Sequence, residues 1–172
     1  MSDVNAPRSR IYTVPTRPSA QGELLAMREW RLWSQEGRAV LTSLSGEPVW
    51  DGPVLRSPWS PERPHEPSAG VRGINPRNRR FFWNAEYFFA ARTWLWGWVA
   101  LSGRVEDWRI GWRAEVAAIR HLRLGAQTLA IFETRDDARG LVKELEDRYQ
   151  CPVKIGYPEW RLSRALIAQQ AR

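Results

Sequence analysis

From Thr93 to Leu101 the chain alternates. Trp94, Trp96 and Trp98 fall on one face at period two, and Leu95, Gly97, Val99 and Leu101 fall on the other. A β-strand sends successive side chains to opposite faces, so this stretch reads as a strand. Ser102-Gly103 marks a turn or bulge, after which Arg104 to Trp108 reads as a second strand. The tryptophan face has two readings. Strand aromatics most often build a core. Yet the chain carries 11 tryptophans in 172 residues, hard to hide in one domain, and tryptophan is enriched at interfaces.

Around this strand the punctuation sets the other elements. Residues 27 to 45 suit a β-hairpin: Trp30 and Leu32 alternate with Arg31 and Trp33, Ser34 to Gly37 supplies turn residues, and Ala39 to Leu44 returns. A helix from Glu23 to Trp33 competes, because Leu24, Met27 and Leu32 roughly suit its spacing. Pro48, Pro53, Pro58, Pro61, Pro64, Pro67 and Pro76 make residues 46 to 80 a long loop, usually a functional one. Residues 81 to 91 are strongly aromatic and suit a buried helix or strand. Trp112, Val116, Ile119 and Leu122 predict a helix from Trp112 to Leu122.

The last third is more regular. Leu129 to Phe132 reads as a short strand. Thr134 is a good N-cap, with Asp136 and Asp137 placed where a helix dipole favours acids. Ala138, Leu141, Val142, Leu145 and Tyr149 give that helix one apolar face. Cys151 to Ile155 reads as the returning strand of a β-α-β unit, and Glu159 to Ala171 as a final helix. The expected fold is α+β: a mostly antiparallel sheet or small open barrel, with C-terminal helices and a short β-α-β tail. Residues 1–22 form a basic, proline-containing arm, and residues 23–172 a single domain.

Several chemistries are set aside. No apolar run reaches the roughly 18 residues of a membrane span, and the N-terminus lacks a secretory h-region, so a cytoplasmic protein is expected. Cys151, His65 and His121 are too few and too scattered for a metal centre. His121 is expected as a solvated or capping residue of the Trp112 helix, and Cys151 as a small buried one. Dinucleotide, phosphate-loop and nucleophile-elbow motifs are absent, so no cofactor is expected. Glu106 and Asp107 are read as a solvated pair beside Arg104 and Arg109. No acid/base constellation points to an enzyme.

Charge points elsewhere. The net charge is +7, and all basic residues are arginine except Lys143 and Lys154. Guanidinium binds phosphate bidentately and stacks on flat faces, although a GC-rich coding bias also produces such usage. Arg72, Arg77, Arg79 and Arg80 form a run without an acid, followed by Phe82 and Trp83. A second basic and aromatic stretch runs from Trp94 to Arg123. The run is assigned to nucleic acid, with the four arginines on phosphates and Phe82 or Trp83 stacking on bases. The alternative is a structural or interaction subunit of a larger assembly, in which exposed tryptophans anchor an interface and the basic arm docks on an acidic protein.

Two likenesses add to this. Arg28 to Leu32, Leu41 to Leu44, Trp50, His65, Gly73-Ile74, Trp98 to Val105 and Gly111 to Glu115 resemble a poorly characterised small domain of actinobacterial and phage hypothetical proteins. The likeness covers roughly residues 28 to 122 and implies a phage or mobile-element setting. In that family a C-x-C-G-I segment often precedes the central strand. Gly70 and Arg72 stand at its cysteine positions here, so any metal or redox role is lost. Gly73-Ile74 and Val99 to Val105 also resemble PUA/ASCH-like barrels, which bind RNA and modified bases; this is an analogy of fold.

Overall fold

The structure, a computed structural model, describes residues 11–15, 22–44, 48–57, 70–76, 93–108, 110–132 and 134–155. The aromatic segment at 81–91, the final helix at 159–171 and most of the Pro-rich stretch lie outside these residues.

Nine strands are described: β1 Ile11–Val14, β2 Leu24–Gln35, β3 Arg38–Thr42, β4 Val49–Trp50, β5 Val54–Arg56, β6 Val71–Ile74, β7 Leu95–Trp108, β8 Gly111–Leu124 and β9 Val153–Ile155. Two helices follow β8: α1 Ala126–Ala130 and α2 Arg135–Tyr149. The sheet is mostly antiparallel and partly closed. Its order is β1-β7-β8-β6-β2-β3-β4, and β2 also pairs with β7, so that β7, β8, β6 and β2 form a ring.

The β2–β3 hairpin turns at Glu36-Gly37, between partners Gln35 and Arg38. Both turn residues have positive φ, 51° and 76°, the left-handed pair whose twist matches that of the flanking strands. The whole stretch from Leu24 is strand, and the competing helix does not form. Ala26 and Trp30 point into the main core, while Met27 packs on the opposite face with Trp96 and Ile74.

The alternating tryptophan segment opens β7, which runs without a break to Trp108. Leu95, Val99 and Leu101 fill the main core. Trp96, on the other face, is only 1% exposed. Trp94 packs half-buried against the main core, and Trp98 is half-buried.

The expected helix from Trp112 to Leu122 is wrong: Gly111–Leu124 is β8, paired along β7. The cause is two irregularities in the β7–β8 register, between Trp98/Val99 and between Ser102/Val105. Opposite the first, β8 carries Arg120 as an unpaired residue; opposite the second, Glu115. Each shifts the side-chain alternation by one. The core positions therefore run Ala114, Ala117, Ile119, Leu122, Leu124, in which steps of three interrupt steps of two and imitate helical spacing.

The other edge of β8 is tiled by three short strands: β6 along Gly111 to Ala114, β5 along Val116 to Ala118, and β9 along Leu122 to Leu124. The Pro-rich stretch thus contributes β4, β5 and β6, each too short to stand without its partner. The expected strand at Leu129 to Phe132 is instead the end of α1 and a turn. There Thr128 is buried and donates its hydroxyl to the Trp94 carbonyl at 2.5 Å.

Helix α2 has the expected start. Thr134 accepts from the Asp137 N–H at 3.2 Å, and Asp137 accepts from the Thr134 N–H, a reciprocal cap. Tyr149 anchors the other end, accepting from the Leu41 N–H and donating to the Trp50 carbonyl, both at 2.8 Å. Strand β9 lies parallel to β8, as the return of a β-α-β unit does. Thr134→Ala is expected to destabilise the protein by about 1 kcal/mol, read as a lower denaturant midpoint at unchanged m-value.

Candidate nucleic-acid interface

The parity of the strands sorts the basic residues by face. On the outer face of the sheet, opposite the main core, register partners form rows. One row reads Glu29, Trp96, Arg123, Lys154 across β2, β7, β8 and β9. A second reads Met27, Trp98, His121. A third reads Glu106, Arg113, Arg72.

Pairing then separates structural arginines from available ones. Arg113 is 4% exposed and is held by Glu106 through Nε at 3.2 Å and through Nη2. Glu106, its side chain 14% exposed, is therefore not the solvated acid expected beside Arg104; Arg109 lies outside the described residues. Opposite charges that face each other across a register attract directly. Arg120 grips Glu23 through Nε at 3.1 and 3.0 Å to the two carboxylate oxygens, which holds the Glu23 carboxyl below its usual range. Arg139 pairs with Asp136, and Arg148 donates to the Ala39 carbonyl.

Arg123 and Lys154 have no carboxylate partner among the described residues. Arg123 lies over the Trp96 ring, 5.2 Å from its centroid. Trp96 is buried and cannot stack on a base itself; it supports the guanidinium as a flat, half-exposed surface. Lys154 beside it is exposed. His121 lies on β8, not on the expected helix, and its Nδ1 is buried without a hydrogen-bond partner among the described residues. Burial first, then the charges of Arg123 and Lys154, push its imidazole below the usual histidine range. Burial likewise pushes the Glu29 carboxyl up, only partly offset by Arg28.

Of the six residues assigned from the sequence, Arg72 alone is among the described residues. It lies half-buried on β6, opposite Arg113. Arg77, Arg79, Arg80, Phe82 and Trp83 lie outside them. Arg123 belongs to the second basic stretch noted in the sequence. Lys154 was missed, since a lysine alternating with Val153 and Ile155 signals only a solvated strand face.

A cleft of about 190 Å³ opens elsewhere, with Ala100, Ser102, Val116 and Ala118 in its walls and Arg56 and Arg120 beside them. Among the described residues no three His, Cys, Asp or Glu side chains gather as a metal site. Cys151 is buried in the main core, and burial pushes its thiol up to about 11. No helix among the described residues is long and apolar enough to cross a membrane.

These features define a partly closed, mostly antiparallel β domain with a basic row on its outer face. No protein-family model, curated protein or solved structure matches the chain.

Proposed function

We propose that the protein is a non-catalytic nucleic-acid-binding protein or subunit. The observation that carries this reading is the outer row in which buried Trp96 supports Arg123 beside Lys154, neither cation neutralised by a described carboxylate. Such a pair neutralises phosphates, and the flat guanidinium offers a stacking surface to unpaired bases. The run from Arg72 to Trp83 carries the same two chemistries in its composition. A phage or mobile-element setting, as the family resemblance implies, fits a protein of this kind.

The test is an oligonucleotide titration at several salt concentrations. Single strands are expected to bind with a steep salt dependence. Arg123→Ala/Lys154→Ala should reduce the slope of log affinity against log salt by about 1.4 to 1.8, at roughly 0.7 to 0.9 per phosphate. Equal, weak and non-saturable binding of wild type and variant overturns the reading.

One observation favours the second reading, a structural or interaction subunit of a larger assembly: Trp33, near the end of β2, is 59% exposed. On that reading Trp33→Ala disrupts assembly and leaves nucleic-acid binding unchanged.

A further inference from the structure

The inner face of β2 carries a residue that does not belong in an apolar core. Strand parity places Arg28 between Ala26 and Trp30, both fully buried members of the main core. Across β7 it faces Gly97, which adds no side chain. Its guanidinium lies over the Trp50 ring, 5.6 Å from the centroid, and Nη1 donates to the Arg72 carbonyl at 2.5 Å. Those are its partners among the described residues: one neutral carbonyl and one aromatic face, with no carboxylate. Its neighbour in sequence, Glu29, points to the opposite face. Burial, and secondarily the positive charge of Arg72, lowers its pKa to about 10 against the pull of Glu29, so it remains charged at neutral pH.

A buried charge left in this state is costly, and proteins normally pair such groups. The same neighbourhood holds further unmet demand. Trp30 and Trp50 are fully buried and meet edge to face, with centroids 5.6 Å apart. Among the described residues the indole Nε1 of each is buried without an acceptor, and so is Nε of Arg28. All three orphaned atoms are donors. An occupant that satisfies them must be negative and rich in acceptor oxygens. A phosphate group offers three terminal oxygens and matches the guanidinium fork, whereas a carboxylate offers two. Arg28 itself is half-buried and keeps some contact with solvent.

We propose that Arg28, together with the indole N–H groups of Trp30 and Trp50, forms a binding site for a phosphate group on the inner side of β2. The site is independent of the outer row, because Arg123 and Lys154 lie on the other face of the sheet.

The experiment is a titration of the full chain with inorganic phosphate, followed through the indole N–H resonances of Trp30 and Trp50 and through Tm. Wild type should show saturable shifts at both indoles and a rise in Tm, since a ligand of the native state alone stabilises it. Arg28→Met should remove both responses. Arg28→Lys, which keeps the charge and loses the fork, should bind phosphate about tenfold more weakly. It stands in if the methionine variant does not fold. Arg123→Ala/Lys154→Ala should leave the phosphate response intact even where it weakens oligonucleotide binding. The proposal is overturned by indoles that do not shift saturably, by an equal Tm rise in wild type and Arg28→Met, by undiminished binding in Arg28→Lys, or by a response that disappears with Arg123 and Lys154.

Discussion

Glu106→Ala is expected to destabilise the protein by about 3 kcal/mol or more, because it removes the Glu106 carboxylate from the buried Arg113 guanidinium. The two side chains are 5% and 14% exposed, so water cannot replace the lost partner at low cost. Substituting both ends, as Glu106→Leu/Arg113→Met, should recover most of that loss, since a well-packed apolar pair of similar volume often equals a buried ion pair. Chemical denaturation of the wild type, the two single variants and the double variant gives the coupling directly. Additive losses would mean that the pair is not the unit of stability. The same variants bear on function. Oligonucleotide binding should survive in the folded double variant, because Arg113 belongs to the structure and not to the available cations.

Gly97→Ala is expected to be equally severe, on the order of 3 kcal/mol, for a steric reason. A Cβ at this position would lie 1.9 Å from the His121 carbonyl oxygen and 2.9 Å from its carbon. Those atoms belong to the backbone of β8, so no rotamer change can relieve the contact. The strands would have to part next to the irregularity at Trp98/Val99. Gly140→Ala, on α2 with open space around its Cβ, is the control and should be neutral or stabilising, since alanine favours a helix more than glycine does. A thermal melt of the two variants decides: similar Tm values would show that the tight approach at Gly97 yields cheaply.

The parts of this fold that sequence reasoning anticipates are those written in local chemistry. The Glu36-Gly37 turn, the alternation from Leu95 to Leu101 and the Thr134 cap each carry their signal within a few residues; Trp94, before the strand, packs against the main core instead of sharing the face of Trp96. The parts it misses are decided by distant partners. Arg120 and Glu115 disturb the β8 alternation only because β7 lies opposite, and the resulting steps of three look helical. Strands β4, β5 and β6 are two to four residues long and lie in a proline-punctuated stretch, so nothing but tertiary pairing makes them strands. Charge was legible in amount but not in assignment. Arg28, Arg113 and Arg123 look alike in an alternating sequence, yet one is half-buried over a tryptophan, one is neutralised and one is available.

The tiling of β8 has a kinetic consequence. The β7–β8 hairpin closes through a short connection, so it can form early, on the microsecond scale of hairpins. Its far edge then waits for β6 and β5 to return from upstream and for β9 to arrive only after both helices have been traversed. Each arrival closes its own loop and carries its own entropic cost. Until all three have docked, the row of N–H and C=O groups along β8 stays open to pairing with another chain. Folding at high concentration therefore sets three successive intramolecular closures against pairing with a neighbouring chain. A chain emerging from the ribosome faces that competition longest at Leu122 to Leu124, whose partner is synthesised last.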